Sequence, residues 1–308
     1  MTTGALEPVR TGLSDAALHR HQLVQASARR SLGRRRTIAL VVRILFGLAT
    51  VIVLIPLFLL VGYVIAKGAS VLSADFFTKL PTPAGIPGGG ISNAIVGSLI
   101  INGIALVIAI PLGLVVSLFL IERQGPVANV IRFGADVLSG LPSILIGLFA
   151  YAEIVVRSGH FSAISASVAL SVLMLPIMIR GDEEAMRTVP EELWEAGMAL
   201  GARQSRVVRS VIVRTALPGL VTANLLALAR AVGETAPLLF TAIGSQLFST
   251  ALGQPMNAIP IVIYQDGLTA YPDLQRTAWG AAFVLLVAVL LLSIAGRILA
   301  GNMTRRAK

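Results

Sequence analysis

The chain has no cysteine, so no disulfide, thiolate nucleophile or cysteine metal ligand is available to it. Its three histidines, His19, His21 and His160, are too scattered to form a metal-ligating cluster. Only three lysines occur, Lys67, Lys79 and Lys308, and none completes a GxxxxGK[ST] loop, so the chain has no phosphate cradle for ATP. Charged residues are scarce as well: 13% of 308 residues, where soluble domains carry about a quarter. That shortage excludes a single soluble globule. No paired acids and no nucleophile–base set speak for a membrane enzyme, and no cofactor is expected.

What the chain does have is apolar length, with 56% hydrophobic residues. Six apolar stretches stand out, roughly 41–66, 93–121, 130–156, 161–180, 218–243 and 277–300. Each is near the ~20 residues that cross ~30 Å of hydrocarbon. Arg157-Ser158-Gly159-His160 alone separates the third from the fourth, which predicts a tight turn. An all-α, polytopic membrane protein with six transmembrane helices follows.

The net charge of +10 would suggest nucleic acid in a soluble protein. Here the basic residues sort by loop. With a cytoplasmic N-terminus, twenty Lys and Arg fall in the inward segments, and four (Lys67, Lys79, Arg157, Arg276) fall outside. The positive-inside rule therefore places both termini in the cytoplasm of a multi-pass protein in a bacterial plasma membrane. No nucleic-acid partner is expected. Residues 1–37 form a basic tail without sustained apolar periodicity, expected to be disordered or bound to the membrane surface, and residues 38–304 form the transmembrane domain. The tail is too long for the n-region of a signal peptide, and the first helix is expected to be retained. Segments 67–92 and 244–275, rich in Pro and Gly, read as outward loops, with a short surface helix at Ile259–Tyr264.

One polar stretch interrupts this pattern. Within the cytoplasmic loop at about 181–217, residues 191–218 read EELWEAGMALGARQSRVVRSVIVRTALP. Pro190 and Glu191-Glu192 mark a helix start, Gly201 permits a positive φ, and apolar residues recur at helical spacing on either side. A helix–turn–helix at the membrane surface follows, closed by Leu217-Pro218. It is either an amphipathic interfacial hairpin or a docking element for a soluble partner. The spacing of Glu195, Ala196, Gly197 and Gly201 resembles the EAA loop of binding-protein-dependent ABC importer permeases. Gly197 stands for the second alanine, and Val213-Arg214 stands where Leu-Pro is expected.

Four further runs carry a narrower resemblance, to the PstA and PstC permease subunits of phosphate importers. They are Arg230-Ala231-Val232-Gly233-Glu234-Thr235-Ala236-Pro237, the run from Gly88 to Gly97, the run from Asp136 to Ser143, and Leu175 to Arg180. The resemblance covers residues 88 to 300 and implies a type I ABC importer permease (MetI-like) fold. It implies a role too: half of a phosphate translocation pathway, driven through the EAA-type loop by ATP hydrolysis on another chain. The implied partners are a PstC-like permease, two PstB-like ATP-binding subunits and a PstS-like phosphate-binding protein, with lipid around them. A permease for another oxyanion, such as molybdate or sulfate, and a non-transporting scaffold or sensor are the rival readings.

Arg230 and Glu234 lie i,i+4 within the fifth segment, so both project from one helical face. A charge there faces protein or water rather than lipid. The pair is either a structural tie or a guanidinium that exchanges its carboxylate for phosphate oxygens in the pathway. Arg132 and Asp136 have the same spacing and predict a structural pair. Arg180, at the inner end of the fourth segment, reads equally as a positive-inside anchor or an exit-side anion contact.

Overall fold

The computed structural model describes residues 15–306, and every regular element among them is helical. The chain divides into two compact units, Met1–Gly62 and Tyr63–Lys308. The first consists of most of α1 (Asp15–Gly68). From Ile38 to Leu60 its large apolar side chains are exposed on every face, Leu45, Phe46, Ile52, Val53 and Leu59 among them. A helix apolar all round is a membrane span rather than one wall of a soluble core. Of the tail expected to be disordered, residues 1–14 lie outside the described residues, and α1 already begins at Asp15.

In the second unit a 3₁₀ turn (Ala69–Val71) leads to α2 (Ala74–Thr78), capped by Ser73, whose hydroxyl accepts the Phe76 N–H at 3.2 Å. The segment expected to be loop throughout is thus partly helical, at Ala69–Val71 and Ala74–Thr78, and irregular from Lys79 to Ile91. Then come α3 (Ser92–Glu122), α4 (Pro126–Gly140) and α5 (Ser143–Ala150), the last running through a π-turn (Tyr151–Val155) into α6 (Val156–Ser158). Gly159 reverses the chain at φ 74°, and Ser162 caps α7 (Ala163–Arg187). Next are α8 (Glu191–Ala199), α9 (Gln204–Val207), a π-turn (Val208–Ile212), α10 (Val213–Val232) and α11 (Ala236–Thr241). Helices α12 (Ile259–Gly267) and the long α13 (Pro272–Arg306) complete the described residues. Among the described residues five helices are long and apolar enough to cross a membrane, and a sixth span exists if the bent pair Pro126–Gly140 and Ser143–Ser158 counts as one.

Helix α7 is the buried axis of this unit. Ala163, Ala166, Ser167, Ala169 and Leu170 are enclosed, with α3 and α10 against it. Small residues let the backbones approach, as expected where lipid supplies no hydrophobic drive between helices. A Cβ built on Gly181 would lie 2.6 Å from the Ala223 Cβ, and one on Gly219 would lie 2.8 Å from the Ala185 Cβ. Two Gly-x-x-x-Ala faces, 181/185 on α7 and 219/223 on α10, therefore cross in direct contact.

The structure corrects four expectations. The third apolar stretch is not one straight span: it bends by 102° between α4 and α5, because Pro142 cannot continue the helix and the residue before it is pushed out of helical φ/ψ. The fifth stretch is likewise broken, between α10 and α11. Leu217-Pro218 does not close the hairpin, since α9 continues through its π-turn into α10 with Pro218 inside the helix. Finally, α12 is not a helix lying on the surface. Ile259, Pro260, Ile261 and Val262 are buried, and its Ile259 N–H donates to Ser98 Oγ of α3 at 2.8 Å.

Candidate functional site

The break in the fifth segment has a local cause. Gly233 tolerates any backbone conformation, and Pro237 at the start of α11 has no N–H to extend the ladder. The Gly233 and Glu234 N–H groups fold back onto the carbonyls of Arg230 (3.2 Å) and Ala231 (3.1 Å). The other break, at Leu141-Pro142, comes to the same place. Gly147 of α5 abuts the start of α11, where a Cβ would meet Pro237 Cα at 2.7 Å. Two chain breaks at membrane depth are tolerated only where they face protein or a wet cavity.

Arg230 sits between them, in the last turn of α10. With Leu138, Ser139, Leu141, Ile146, Leu173 and Ile177 it lines a cavity of about 50 Å³. Its Nε is 3.8 Å from Glu234 Oε1, close enough for Coulomb attraction but too long for a hydrogen bond. The Arg230 side chain is 57% exposed and the Glu234 side chain 19%. This guanidinium is held loosely, on a face that the chain itself does not cover.

The cluster at the other end of α4 and α7 is held tightly. Glu183, 4% exposed, accepts Arg132 Nε at 2.8 Å and Arg187 Nη2 at 2.7 Å, and its Oε2 lies 3.6 Å from Arg180 Nη1. Arg180 clamps Asp136 with two nitrogens and donates to the Arg132 carbonyl at 3.1 Å. Arg132 therefore pairs with Glu183 instead of its sequence neighbour Asp136, which Arg180 takes. Arg132 with Glu183 and Asp136 with Arg180 thus staple α4 to α7. Glu183 and the adjacent Asp182 were missed by the sequence reading. Their signal was the Asp182-Glu183-Glu184 run directly after an apolar segment, in helical register with Arg180 and Arg187. Asp182 is fully buried, and its Oδ1 accepts Asn224 Nδ2 of α10 at 2.8 Å beside the Gly/Ala crossing.

The hairpin forms as the spacing predicts. Gly201 turns it at φ 75°, and Gly197 has a packing reason to replace alanine, since a Cβ there would lie 2.8 Å from Val207 Cγ1. Val207, Val208 and Ile212 are buried, and Trp194 packs on a cluster with Met186 and Leu220. The outer face is free: Glu195 and Ala196 are exposed, with Leu193, Met198 and Leu200, the last at 89%. Exposed apolar residues beside acids, on and just after α8 and outside the candidate spans, make a surface that fits a protein partner. Leu217 and Pro218 lie about a turn inside α10.

Comparison with known proteins bears on these features. The family described as binding-protein-dependent transport system inner membrane component matches residues 109–308. A phosphate transport system permease protein PstA of Xylella fastidiosa is 42% identical over 238 residues, covering 76% of this chain and 83% of its own. The PstA of Yersinia pestis is 36% identical over 288 residues, covering 93% and 96%. Among solved structures, an inward-facing MetNI methionine ABC transporter aligns with TM-score 0.56 and 23% identity over 70% of this chain and 94% of that one. A bacterial alginate ABC transporter aligns with TM-score 0.56 and 13% identity over 84% and 93%. These structural likenesses show the MetI-like permease fold. The chain belongs to the binding-protein-dependent transport system inner membrane components, in their PstA group, and is a multi-pass transporter permease subunit rather than an enzyme.

Proposed function

We propose that the chain is one of two permease halves in an ATP-driven phosphate importer, and that Arg230 supplies positive charge to the pathway. The observation that carries this reading is Arg230 at the meeting of two chain breaks, half exposed and without a hydrogen-bonded carboxylate. A guanidinium at that depth needs a partner that is not lipid. A second, PstC-like permease encloses it, and passing phosphate supplies oxygens in bidentate geometry. Glu234 keeps the charge attracted between passages without saturating it. The relatives named as phosphate permeases support the substrate.

Arg180 has a different place in this scheme. Its nitrogens are taken up by Asp136 and a carbonyl, which favours an anchoring role at the inner end over direct contact with the anion. The hairpin, with Glu195, Ala196, Gly197 and Gly201, docks one of two PstB-like ATPases from the cytoplasm, while a PstS-like protein delivers phosphate from outside. Support for docking comes from the exposed Leu193, Met198 and Leu200 on and just after α8, outside the candidate spans.

Labelled-phosphate uptake by cells, measured beside the amount of assembled complex, tests the pathway role. Arg230→Gln is expected to abolish uptake with assembly unchanged, and Arg230→Lys to retain part of it, because a point charge lacks the fork. Normal uptake by Arg230→Gln would reduce the residue to a structural tie. Gly201→Val tests docking separately: a β-branched residue at positive φ distorts the hairpin, and co-purification with the ATPase should be lost.

A further inference from the structure

We propose that the ends of α1 and α13 on the side opposite the hairpin form a site for the phosphate group of an anionic phospholipid. The sequence makes four basic residues on this side conspicuous, because the charge bias runs the other way. Two of them are explained by acids four residues before them: Lys79 pairs with Asp75 at 2.6 Å, and Arg157 pairs with Glu153 at 2.6 Å. The other two, Lys67 and Arg276, meet no carboxylate among the described residues. They share one cavity of about 340 Å³, together with Tyr63, Ser70, Gln275 and Trp279, and no acidic side chain lines it.

The walls of this cavity are fixed. A Cβ on Gly68 would fall 2.5 Å from both the Trp279 carbonyl and Phe283 Cβ, so only glycine lets the end of α1 lie against α13 and bring the two cations to one opening. Tyr63 and Trp279 meet edge to face with centroids 4.9 Å apart, and Lys67 Nζ stands 5.8 Å from the Tyr63 ring centre. A Tyr–Trp pair at the end of two spans marks headgroup depth, where amphipathic rings sit between hydrocarbon and water. Both cations are exposed at that level, so the ligand arrives along the membrane surface. That favours a phosphodiester carried by a lipid over a free anion, which would have to be extracted from water by a shallow site. Lys67 supplies a point charge and Arg276 a planar donor fork to the phosphate oxygens. The site is independent of the transported substrate and of the hairpin's partner.

The full chain in lipid nanodiscs provides the test. Trp194 and Trp279 are its two tryptophans, so Trp194→Phe leaves Trp279 as the reporter. Quenching of Trp279 by phospholipids brominated on the acyl chain then gives the relative occupancy of neighbouring lipids. Brominated phosphatidylglycerol is expected to be favoured over brominated phosphatidylcholine on the order of tenfold, from two basic residues at the surface. Lys67→Gln with Arg276→Gln should bring the ratio to about one, while the charge-conserving Lys67→Arg with Arg276→Lys should keep a preference. Equal quenching by the two lipids in the native cavity, or a preference that survives the double glutamine variant, overturns the proposal. Loss of the preference on adding inorganic phosphate, but not chloride of equal ionic strength, would assign the site to free phosphate and refute the lipid.

Discussion

Replacing Gly181 with alanine adds one methyl group where α7 crosses α10. The new Cβ would stand 2.6 Å from the Ala223 Cβ, whereas carbon atoms rest at about 3.5–4.0 Å. Restoring contact distance separates α7 from α10 by about 1 Å, an overpacking that costs about 1–3 kcal/mol. The same separation stretches the 2.8 Å bond between Asn224 and the buried Asp182 past hydrogen-bonding range, adding roughly 1–3 kcal/mol. Against this stands a helix-propensity gain of about 0.5–1 kcal/mol. A net loss of about 1–5 kcal/mol follows from these ranges. Gly134→Ala in α4, where an added Cβ meets nothing within 4 Å, should keep the propensity gain and stabilise slightly. Thermal unfolding of the purified protein, followed by the fraction remaining monodisperse after heating, reads both changes. Adding Ala223→Gly should recover most of the loss, since it removes the atom that the new methyl strikes. If Gly181→Ala melts with the native protein, or the second substitution rescues nothing, the crossing is looser than its geometry requires.

Two further outcomes are expected. Glu183→Gln removes the charge shared by Arg132 and Arg187 at a site 4% exposed, and should cost about 3–5 kcal/mol in the same thermal assay; Asp75→Asn, which breaks an exposed pair, should cost under about 1 kcal/mol, so equal losses would contradict the burial argument. Because the chain has no cysteine, Ala84→Cys and Arg203→Cys report topology directly: an impermeant maleimide should label the first and not the second in intact cells with any outer envelope permeabilised, and the reverse pattern would invert the orientation.

The apolar runs were legible because a bilayer imposes length on every segment that crosses it. Pro142 and Pro237 stand inside two of these runs, yet hydropathy sums residues without regard to direction. A window that runs through Leu141-Pro142 or Gly233–Thr235 cannot report that the chain turns there. Gly201 was readable for a different reason: a positive φ is a local demand, and local demands leave their mark on the residue itself. The pairing of Arg132 with Glu183 was not readable from spacing, since two residues four apart on one helix look like partners until another helix brings a better-buried carboxylate. Leu217-Pro218 misled in the same way. A proline reads as a stop, and the π-turn at Val208–Ile212 that precedes it belongs to the geometry of a continuing helix. For Arg230 the sequence indicated a charge at membrane depth, and the structure adds the two breaks around it.

From Gln204 to Val232 the backbone is helical without interruption, 29 residues or about 43 Å of rod at 1.5 Å per residue. No slack loop lies between the hairpin's second arm and the turn that bears Arg230, so a displacement imposed on one end is delivered to the other undiminished. Pivoted near its middle at the Gly219/Ala223 contact, such a rod tilting by about 10° moves each tip by roughly 4 Å. That is comparable with the width of a dehydrated oxyanion. If the proposed docking holds, the member would act as a rocker arm, with its fulcrum at two glycines and two alanines and its stroke limited by how far α7 lets that fulcrum roll.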